Sequence, residues 1–337
     1  MSCDREGGSG DVNSRTLPDS SGRLDEIMLV MDDAVYSKDT LGLLAQDILN
    51  ADFPNLPQGE PMYDVRQVNG PRSLKHLLQS LNTIIYIADL SGEDNTSKFI
   101  LKQLESLPKA KDKHYFVTKN VWAQPQSLIF LYAKTKAELM TWLNDNRETV
   151  YRLIDESEAQ KISRNAFASK PSKGYQKTLK DKYNINAEVP SNYRVAKEND
   201  SLIIFRQDLE GEVSNLFFHT KDNSDGSAFS EAAALGIRAR YGKEFVQSDT
   251  PGSYMVMDDP IYIDQELVDF NGMKAIRTAG LWKLSQDFMG GPFINYLIDD
   301  KKNNRVVMVD GFVYAPQWNK RRPIRKLDAI IHKVKFD

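Results

Sequence analysis

The sequence predicts two domains, an N-terminal α/β domain and a C-terminal α+β domain. Three observations lead to this prediction. The chain has 337 residues, more than one typical domain contains. Up to about residue 160, apolar runs that favour strands alternate with helical patterns, as in a sheet sandwiched by helices. The later part is rich in strand patterns joined by polar turns, which is typical of a mostly antiparallel sheet.

The composition excludes several classes of protein. Hydrophobic residues make up 41% and charged residues 27% of the chain, which is typical of folded globular proteins. The net charge of −3 creates no general attraction to nucleic acid, so we expect no nucleic-acid partner. The single cysteine excludes an internal disulfide. The apolar runs are shorter than the about 18 residues that a membrane-spanning helix needs.

Residues 1–22 are polar, rich in Gly and Ser, and contain the single cysteine, Cys3. Such a segment buries too little apolar surface to fold alone, which predicts a flexible tether. A cysteine followed directly by a polar tether is typical of bacterial lipoproteins, in which acyl chains hold the protein at a membrane. The alternative is an unmodified cysteine in a disordered tail.

Residues 23–160 are predicted to form the α/β sandwich domain. Buried or alternating strand patterns occur at 24–33, 63–68, 83–88, 115–122 and 128–133. Helical patterns occur at 38–50, from Pro71, around 99–104 and from the capping box that begins at Thr135.

Residues 161–188 are rich in Lys, Ser and Gln and are interrupted by Pro171 and Gly174, so we expect a linker. The spacing of Tyr175, Leu179 and Tyr183 predicts one short amphipathic helix within it.

Residues 189–337 are predicted to form a mostly antiparallel sheet with helices packed on one face. One internal helix is expected over 227–241, with Gly242 as its C-terminal stop. Residues 300–304 carry a hairpin signal, and a final helix is expected from about Pro323. Strand patterns occur at 193–196, 202–206, 213–219, 254–257, 262–267, 273–284, 293–299 and 306–314.

Several short motifs occur together from Leu17 onwards. They are LPDSSGR (17–23), MDD (31–33), KNVWAQPQ (119–126), GSYM (252–255), MGGPFINY (289–296), DKKNNR (300–305) and GFVYAP (311–316). In combination they resemble a family of Bacteroidota cell-envelope lipoproteins that is defined only as a domain of unknown function. The resemblance implies a signal peptide, lipidation of Cys3 and attachment to the envelope, at the outer membrane. It implies no activity.

The second half alone is similar to PsbP-like domains, which are mostly binding and assembly modules. The similarity rests on a sheet that opens near residue 190, one internal helix, hairpins and a closing helix. A likeness of fold alone is a weak guide to function.

Few residues are candidates for catalysis. The four histidines are not at metal-ligand spacing, and no nucleophile elbow occurs, so we expect no metal site and no cofactor. Asp32 and Asp33 end a predicted strand, and Asp258 belongs to another acidic pair. Paired carboxylates can act on a glycan or peptide bond, although acids at such positions are usually solvated.

Three groups of residues are candidates for a binding surface, because exposed aromatic and basic side chains often anchor partners. Each group has an ordinary structural alternative, a core aromatic or a solvated helical turn. The groups are Trp122, Pro125 and Gln126; Phe288, Met289 and Phe293; and Arg321, Arg322 and Arg325.

The sequence therefore favours a non-catalytic binding or assembly module of the cell envelope. It is expected to be held at the membrane through Cys3, with an envelope protein or glycan as partner. Two alternatives remain open. One is an envelope hydrolase, which requires converging carboxylates. The other is a carrier of a lipid or small ligand, which requires a large enclosed apolar pocket.

Overall fold

The structure is a computed structural model that describes residues 17–73, 75–105 and 114–336. It divides into two compact units. The first comprises the chain up to Gln46 together with Val65–Ser157, and the second comprises Asp47–Asp64 and the chain from Glu158. Within the described residues, no helix is both long enough and apolar enough to span a bilayer.

The first unit alternates strands and helices, as predicted. In chain order the elements are β1 (Glu26–Val30), α1 (Asp33–Lys38), α2 (Thr40–Leu49), β2 (Asp64–Val68), α3 (Gly70–Ser73), α4 (His76–Gln79), β3 (Thr83–Asp89), α5 (Asn95–Glu105), β4 (Tyr115–Lys119), β5 (Ser127–Ala133), α6 (Lys136–Asp145) and α7 (Arg147–Ala166). The last residues of α2 and α7, and the first of β2, are assigned to the second unit.

The sheet of the first unit has the order β2-β1-β3-β5-β4. Strands β1, β3 and β5 run parallel, and β4 is antiparallel to β5. Every residue of β1 and β5 is buried, because both faces of the sheet are covered. The predicted α/β class of this domain is confirmed.

The predicted tether is too long at its C-terminal end. The Pro18 carbonyl accepts a hydrogen bond from the Gln124 N–H at 2.9 Å, and the Ser20 N–H donates to the Gln124 carbonyl at 3.0 Å. The Ser21 N–H donates to the Ser80 carbonyl at 2.7 Å. Residues 18–21 are therefore part of the first unit, whereas Cys3 and the rest of residues 1–16 lie outside the described residues.

The second unit is rich in strands. In chain order its elements are α8 (Lys173–Tyr183), β6 (Arg194–Glu198), β7 (Leu202–Leu209), β8 (Glu212–Asp222), α9 (Glu231–Phe245), β9 (Met255–Met257), β10 (Asp264–Phe270), β11 (Met273–Leu284), β12 (Gly290–Asp300), β13 (Arg305–Tyr314) and α10 (Arg321–Ile331).

The sheet of the second unit has the order β10-β11-β12-β13-β8-β7-β6, and β9 pairs with the end of β11. All of these pairs are antiparallel, which confirms the α+β class. Helices cover both faces and not one face only. Val307 and Val309 of β13 pack into the core that contains α8 and α10, whereas Val306 and Met308 pack into the core that contains α9. Alternate side chains of the central strands are buried on opposite faces of the sheet, so helices must pack against both faces.

Residues 161–188 do not form a linker, although the predicted short helix is present as α8. Leu179 and Tyr183 of α8 are fully buried in the core beneath α10. Residues 47–64, predicted in the first domain, also belong to the second unit, because Phe53 packs against the same core. The chain therefore enters the second unit twice.

Candidate functional site

The three candidate acids are engaged by neighbouring groups. Asp32 caps α1 by accepting the Ala34 N–H at 2.9 Å. The Gln67 amide donates to Asp33 at 2.8 Å, which lowers the pKa of Asp33, as does the Asn69 amide at 3.1 Å. In the second unit, Asp258 forms an ion pair with Lys283 at 2.7 Å. The structure gives these carboxylates structural partners, so it offers no support for a hydrolase at these positions.

Trp122, Pro125 and Gln126 do not form a surface patch. Gln126 is 2% exposed, and its amide donates to the Leu81 carbonyl at 2.8 Å while its oxygen accepts the Trp122 N–H at 2.9 Å. Pro125 is buried, and Trp122 is half-buried against the core of the first unit. This motif holds a loop in place and is not available as a binding surface.

The second aromatic group is split between core and surface. Phe293 is buried, and the guanidinium carbon of Arg238 lies 3.5 Å from the centre of its ring. Phe288 is fully exposed, and Met289 is partly buried beside it. Only Phe288 and Met289 are therefore available to a ligand.

The basic group at the start of α10 is mostly neutralised. Arg321 is 1% exposed and pairs with Asp64 at 3.1 Å, and Arg322 pairs with the other oxygen of Asp64. The Glu60 carboxylate accepts backbone N–H groups from the same turn. Arg325 lies further along α10 and lines a small pocket next to Arg277. The predicted cationic surface at Arg321 and Arg322 is therefore wrong.

The strongest candidate site is a groove on the sheet face that carries α9. It lies where α9 ends, because this helix covers only part of the face. A buried ion pair between Arg238 of α9 and Asp310 of β13, at 2.9 Å, links the helix to the sheet. Both side chains are at most 1% exposed. The position of the groove is therefore fixed by the position of α9.

The groove has a cavity volume of about 350 Å³. Its floor consists of apolar side chains, all but one of them from the sheet, which continue the core beneath α9. It opens to solvent at Ala196 and Lys197 of the edge strand β6, both of which are exposed. The floor residues are Ile204, Trp282, Leu284, Met289 and Phe312, and Phe245 forms one wall.

One rim of the groove is held by a single carboxylate. Asp287 accepts hydrogen bonds from the hydroxyls of Ser248 at 2.5 Å, Ser253 at 2.5 Å and Thr250 at 2.6 Å. These bonds lower the pKa of Asp287 below its ordinary value. The loop at residues 248–253 is thereby tied to the loop that carries Phe288 and Met289.

Cationic groups dominate the opposite rim. The Lys197 ammonium lies 4.6 Å from the centre of the Phe245 ring. Arg206 of β7 pairs with Asp208 at 2.6 Å, and Arg194 of β6 pairs with the same carboxylate at 3.0 Å. Two arginines therefore share one carboxylate on this side, the Lys197 ammonium lies nearby at the Phe245 ring, and the groove combines an apolar floor with a basic rim.

No group of three or more His, Cys, Asp or Glu side chains within residues 17–73, 75–105 and 114–336 is arranged to hold a metal ion. The amide and ammonium groups around the groove can donate hydrogen bonds to a ligand. The groove can therefore recognise a ligand by shape, apolar contact and negative charge.

Sequence reasoning did not find the groove. Lys197, Phe245 and Arg206 come from three separate elements, β6, α9 and β7, and no motif connects them. Of the residues that line the groove, the sequence indicates only Met289, within the expected binding surface of Phe288, Met289 and Phe293.

Two family models match the chain. The one described as "Domain of unknown function (DUF8532)" matches residues 20–167, and the one described as "Domain of unknown function (DUF4837)" matches residues 172–333. These matches agree with the expected resemblance to uncharacterised domains. The Bacteroidota origin and the PsbP-like similarity stay predictions. No curated protein matches the chain.

Three solved structures that match part of the chain share little sequence with it. The Saccharomyces cerevisiae Ran-binding protein Mog1p has 10% identity and a TM-score of 0.31, over 45% of this chain and 89% of that protein. Human StAR-related lipid transfer protein 5 has 8% identity and a TM-score of 0.23, over 53% of this chain and 95% of that protein. A Pseudomonas aeruginosa protein of unknown function, PA94, is described as a putative regulator. It has 12% identity and a TM-score of 0.22, over 38% of this chain and 76% of that protein.

Proposed function

We propose that this protein is a non-catalytic binding module whose groove receives an apolar, negatively charged group of its ligand. The observation that carries the proposal is the groove of about 350 Å³ at the end of α9. Its volume lies in the usual range for ligand sites, about 300–1,000 Å³, and its apolar floor with a few polar groups is typical of them.

The chemistry of the rim supports a binding role over catalysis. Lys197 and Arg206 can attract an anionic group, and the carboxylate beside Arg206, Asp208, is itself held by two arginines. The carboxylates considered for hydrolysis are held by capping, amide and ion-pair contacts. The groove also opens to solvent at the exposed Ala196 and Lys197, and a carrier requires an enclosed pocket.

We also propose that the protein acts in the cell envelope, held at the outer membrane by lipid on Cys3. The support is the sequence alone, a cysteine followed by a polar segment and the resemblance of the motifs. Metabolic labelling with an alkyne fatty acid tests this part. Label on the unchanged protein but not on the Cys3→Ala protein supports the anchor. The absence of label from both proteins contradicts it.

The groove is tested with anilinonaphthalene sulfonate, a fluorescent anion that is aromatic and negatively charged. The substitution Ala196→Phe places a ring at the mouth of the groove. Val195→Phe is the matched control, since Val195 pairs with Phe205, whose side chain lies in the core on the opposite face. We expect Ala196→Phe to weaken probe binding about tenfold, which corresponds to about 1.4 kcal/mol. Equal binding by both variants and the unchanged protein would contradict the proposal.

A further inference from the structure

The two edges of the second sheet differ in how they are protected. Natural proteins guard exposed sheet edges with charges, bulges or short strands, because an open edge pairs readily with another strand. The β6 edge is guarded in this way. Its pairing with β7 shifts register between Val195 and Lys197, and its residues include Arg194, Lys197 and Glu198.

The β10 edge carries no such interruption. Its seven residues pair with β11 in one continuous register, from Asp264 opposite Ala279 to Phe270 opposite Met273. Leu267 of β10 is 64% exposed, and Ile261 and Tyr262, in the 3₁₀ turn that leads into β10, are 81% and 43% exposed. β10 carries charges of its own, but all of them are acidic, so this regular edge favours pairing with a further strand of complementary charge.

The β10 edge is also rigid. The amide of Gln265 donates to the Thr278 hydroxyl of β11 at 3.1 Å and to the Glu231 carbonyl, at the start of α9, at 3.2 Å. The edge is therefore held both by its neighbouring strand and by the helix beneath. A strand that binds there meets a surface that is already in place, which reduces the entropy lost on binding.

Charge indicates the kind of partner. Residues 258–270, which we call the acidic edge, contain five acids and no Lys or Arg. Arg277 pairs with Asp264 and Glu266, and Lys283 pairs with Asp258. Asp259 and Asp269 instead accept backbone N–H groups. Negative charge therefore remains along the edge, and it favours a basic strand over a second acidic edge from another copy of this chain.

We infer that the acidic edge docks an extended segment of another protein, which adds to β10 as a strand and presents alternating apolar and basic residues. This surface is distinct from the groove and extends the proposed binding role to a second site. Main-chain hydrogen bonds supply part of the affinity, and contact with Leu267 of β10 supplies the rest. Attraction between the acidic edge and the basic residues selects the partner.

The experiment uses fluorescence anisotropy of a labelled peptide of alternating lysine and valine, titrated with the full chain. We expect Leu267→Lys to weaken binding about tenfold or more, because it adds a like charge and removes the apolar contact. Leu209→Lys is the matched control, since Leu209 is 50% exposed on β7, next to the edge strand β6. Leu209→Lys and the groove variant Ala196→Phe should leave peptide binding unchanged. The peptide experiment therefore tests docking at β10 separately from ligand binding in the groove.

Two further peptides separate strand addition from simple charge attraction. A peptide with alternate backbone amides methylated keeps its charge but cannot complete the strand, and it should bind at least tenfold more weakly. A peptide with glutamate in place of lysine should not bind. If either peptide binds as tightly as the unmodified lysine-valine peptide, the inference is overturned. So would sedimentation showing that the unchanged protein pairs with itself and that Leu267→Lys separates the copies.

Discussion

The carboxylate of Glu60 caps α10 by accepting the backbone N–H of Lys320, at 2.8 Å and 3.0 Å to its two oxygens. It also accepts the Arg321 N–H at 3.0 Å. The first N–H groups of a helix lack partners within the helix, and a negative charge there is favourable. Glu60 is 5% exposed, so this cap lies in the interior of the second unit.

Replacing Glu60 should destabilise the second unit. Glu60→Gln keeps the shape but removes the charge that accepts two backbone N–H groups, so we expect a loss of about 2 kcal/mol. Urea unfolding measures the loss, and hydrogen exchange should show that the amides of α10 open first. Glu210→Gln, at an exposed turn, is the control and should change the stability little. Equal losses for the two variants would contradict this role for Glu60.

The buried ion pair of Arg238 and Asp310 should behave as one unit. Removing one partner leaves an uncompensated buried charge, which costs about 3–5 kcal/mol. We therefore expect Arg238→Met and Asp310→Asn each to cause a large loss, and the double variant to lose clearly less than the sum. Urea unfolding of the three variants measures the coupling. Losses that simply add would show that the pair is not coupled.

Stability should depend on pH through His332. Burial opposes protonation of this imidazole, but the contact with Asp328, 3.4 Å from Nδ1 to Oδ1, outweighs it and raises the pKa of His332. The stabilisation is therefore complete below the unfolded value of about 6.5 and is lost as pH rises through the folded pKa.

His332→Asn should accordingly cost more stability at about pH 5.5 than at about pH 9. Thermal unfolding at the two pH values measures the difference. In an Asp328→Asn background the contact is absent, so the same substitution should show little pH dependence. A loss of the same size at both pH values in the unchanged background would refute the assignment.

The hydroxyl bonds to Asp287 should hold the rim of the groove. We expect Asp287→Ala to speed hydrogen exchange in residues 248–253, because three hydroxyls lose their common acceptor. Binding of anilinonaphthalene sulfonate should weaken in the same variant. Asp225→Ala is the matched control, since Asp225 accepts the Ser227 hydroxyl and N–H in another loop. Faster exchange at residues 248–253 in the control as well would argue against a specific role.

Local patterns were sufficient to predict most strands and helices and both fold classes. The hairpin at residues 300–304 follows from its turn residues, and Asn304 adopts the left-handed conformation that such a turn requires. Gly242 was misread as a helix stop, because α9 continues to Phe245. Glycine is needed there for another reason, since a Cβ would lie 2.8 Å from the Met255 carbonyl of β9.

Contacts between distant parts of the chain could not be predicted in the same way. The basic residues at the start of α10 indicated an exposed surface, because nothing nearby in the sequence offers them a partner. Their partners, Glu60 and Asp64, come from a segment more than 250 residues earlier. The groove was missed for the same reason, since β6, β7, α9 and β11 meet only in the folded sheet.

The groove at the end of α9 is proposed to hold the ligand of this protein. The most direct measurement places a photo-crosslinking benzophenone amino acid at position 196 or, as control, at position 195 in cells that make the full chain. We predict a discrete crosslinked product from position 196, which faces the groove, and none from position 195. No product from either position, or the same product from both, would contradict the claim.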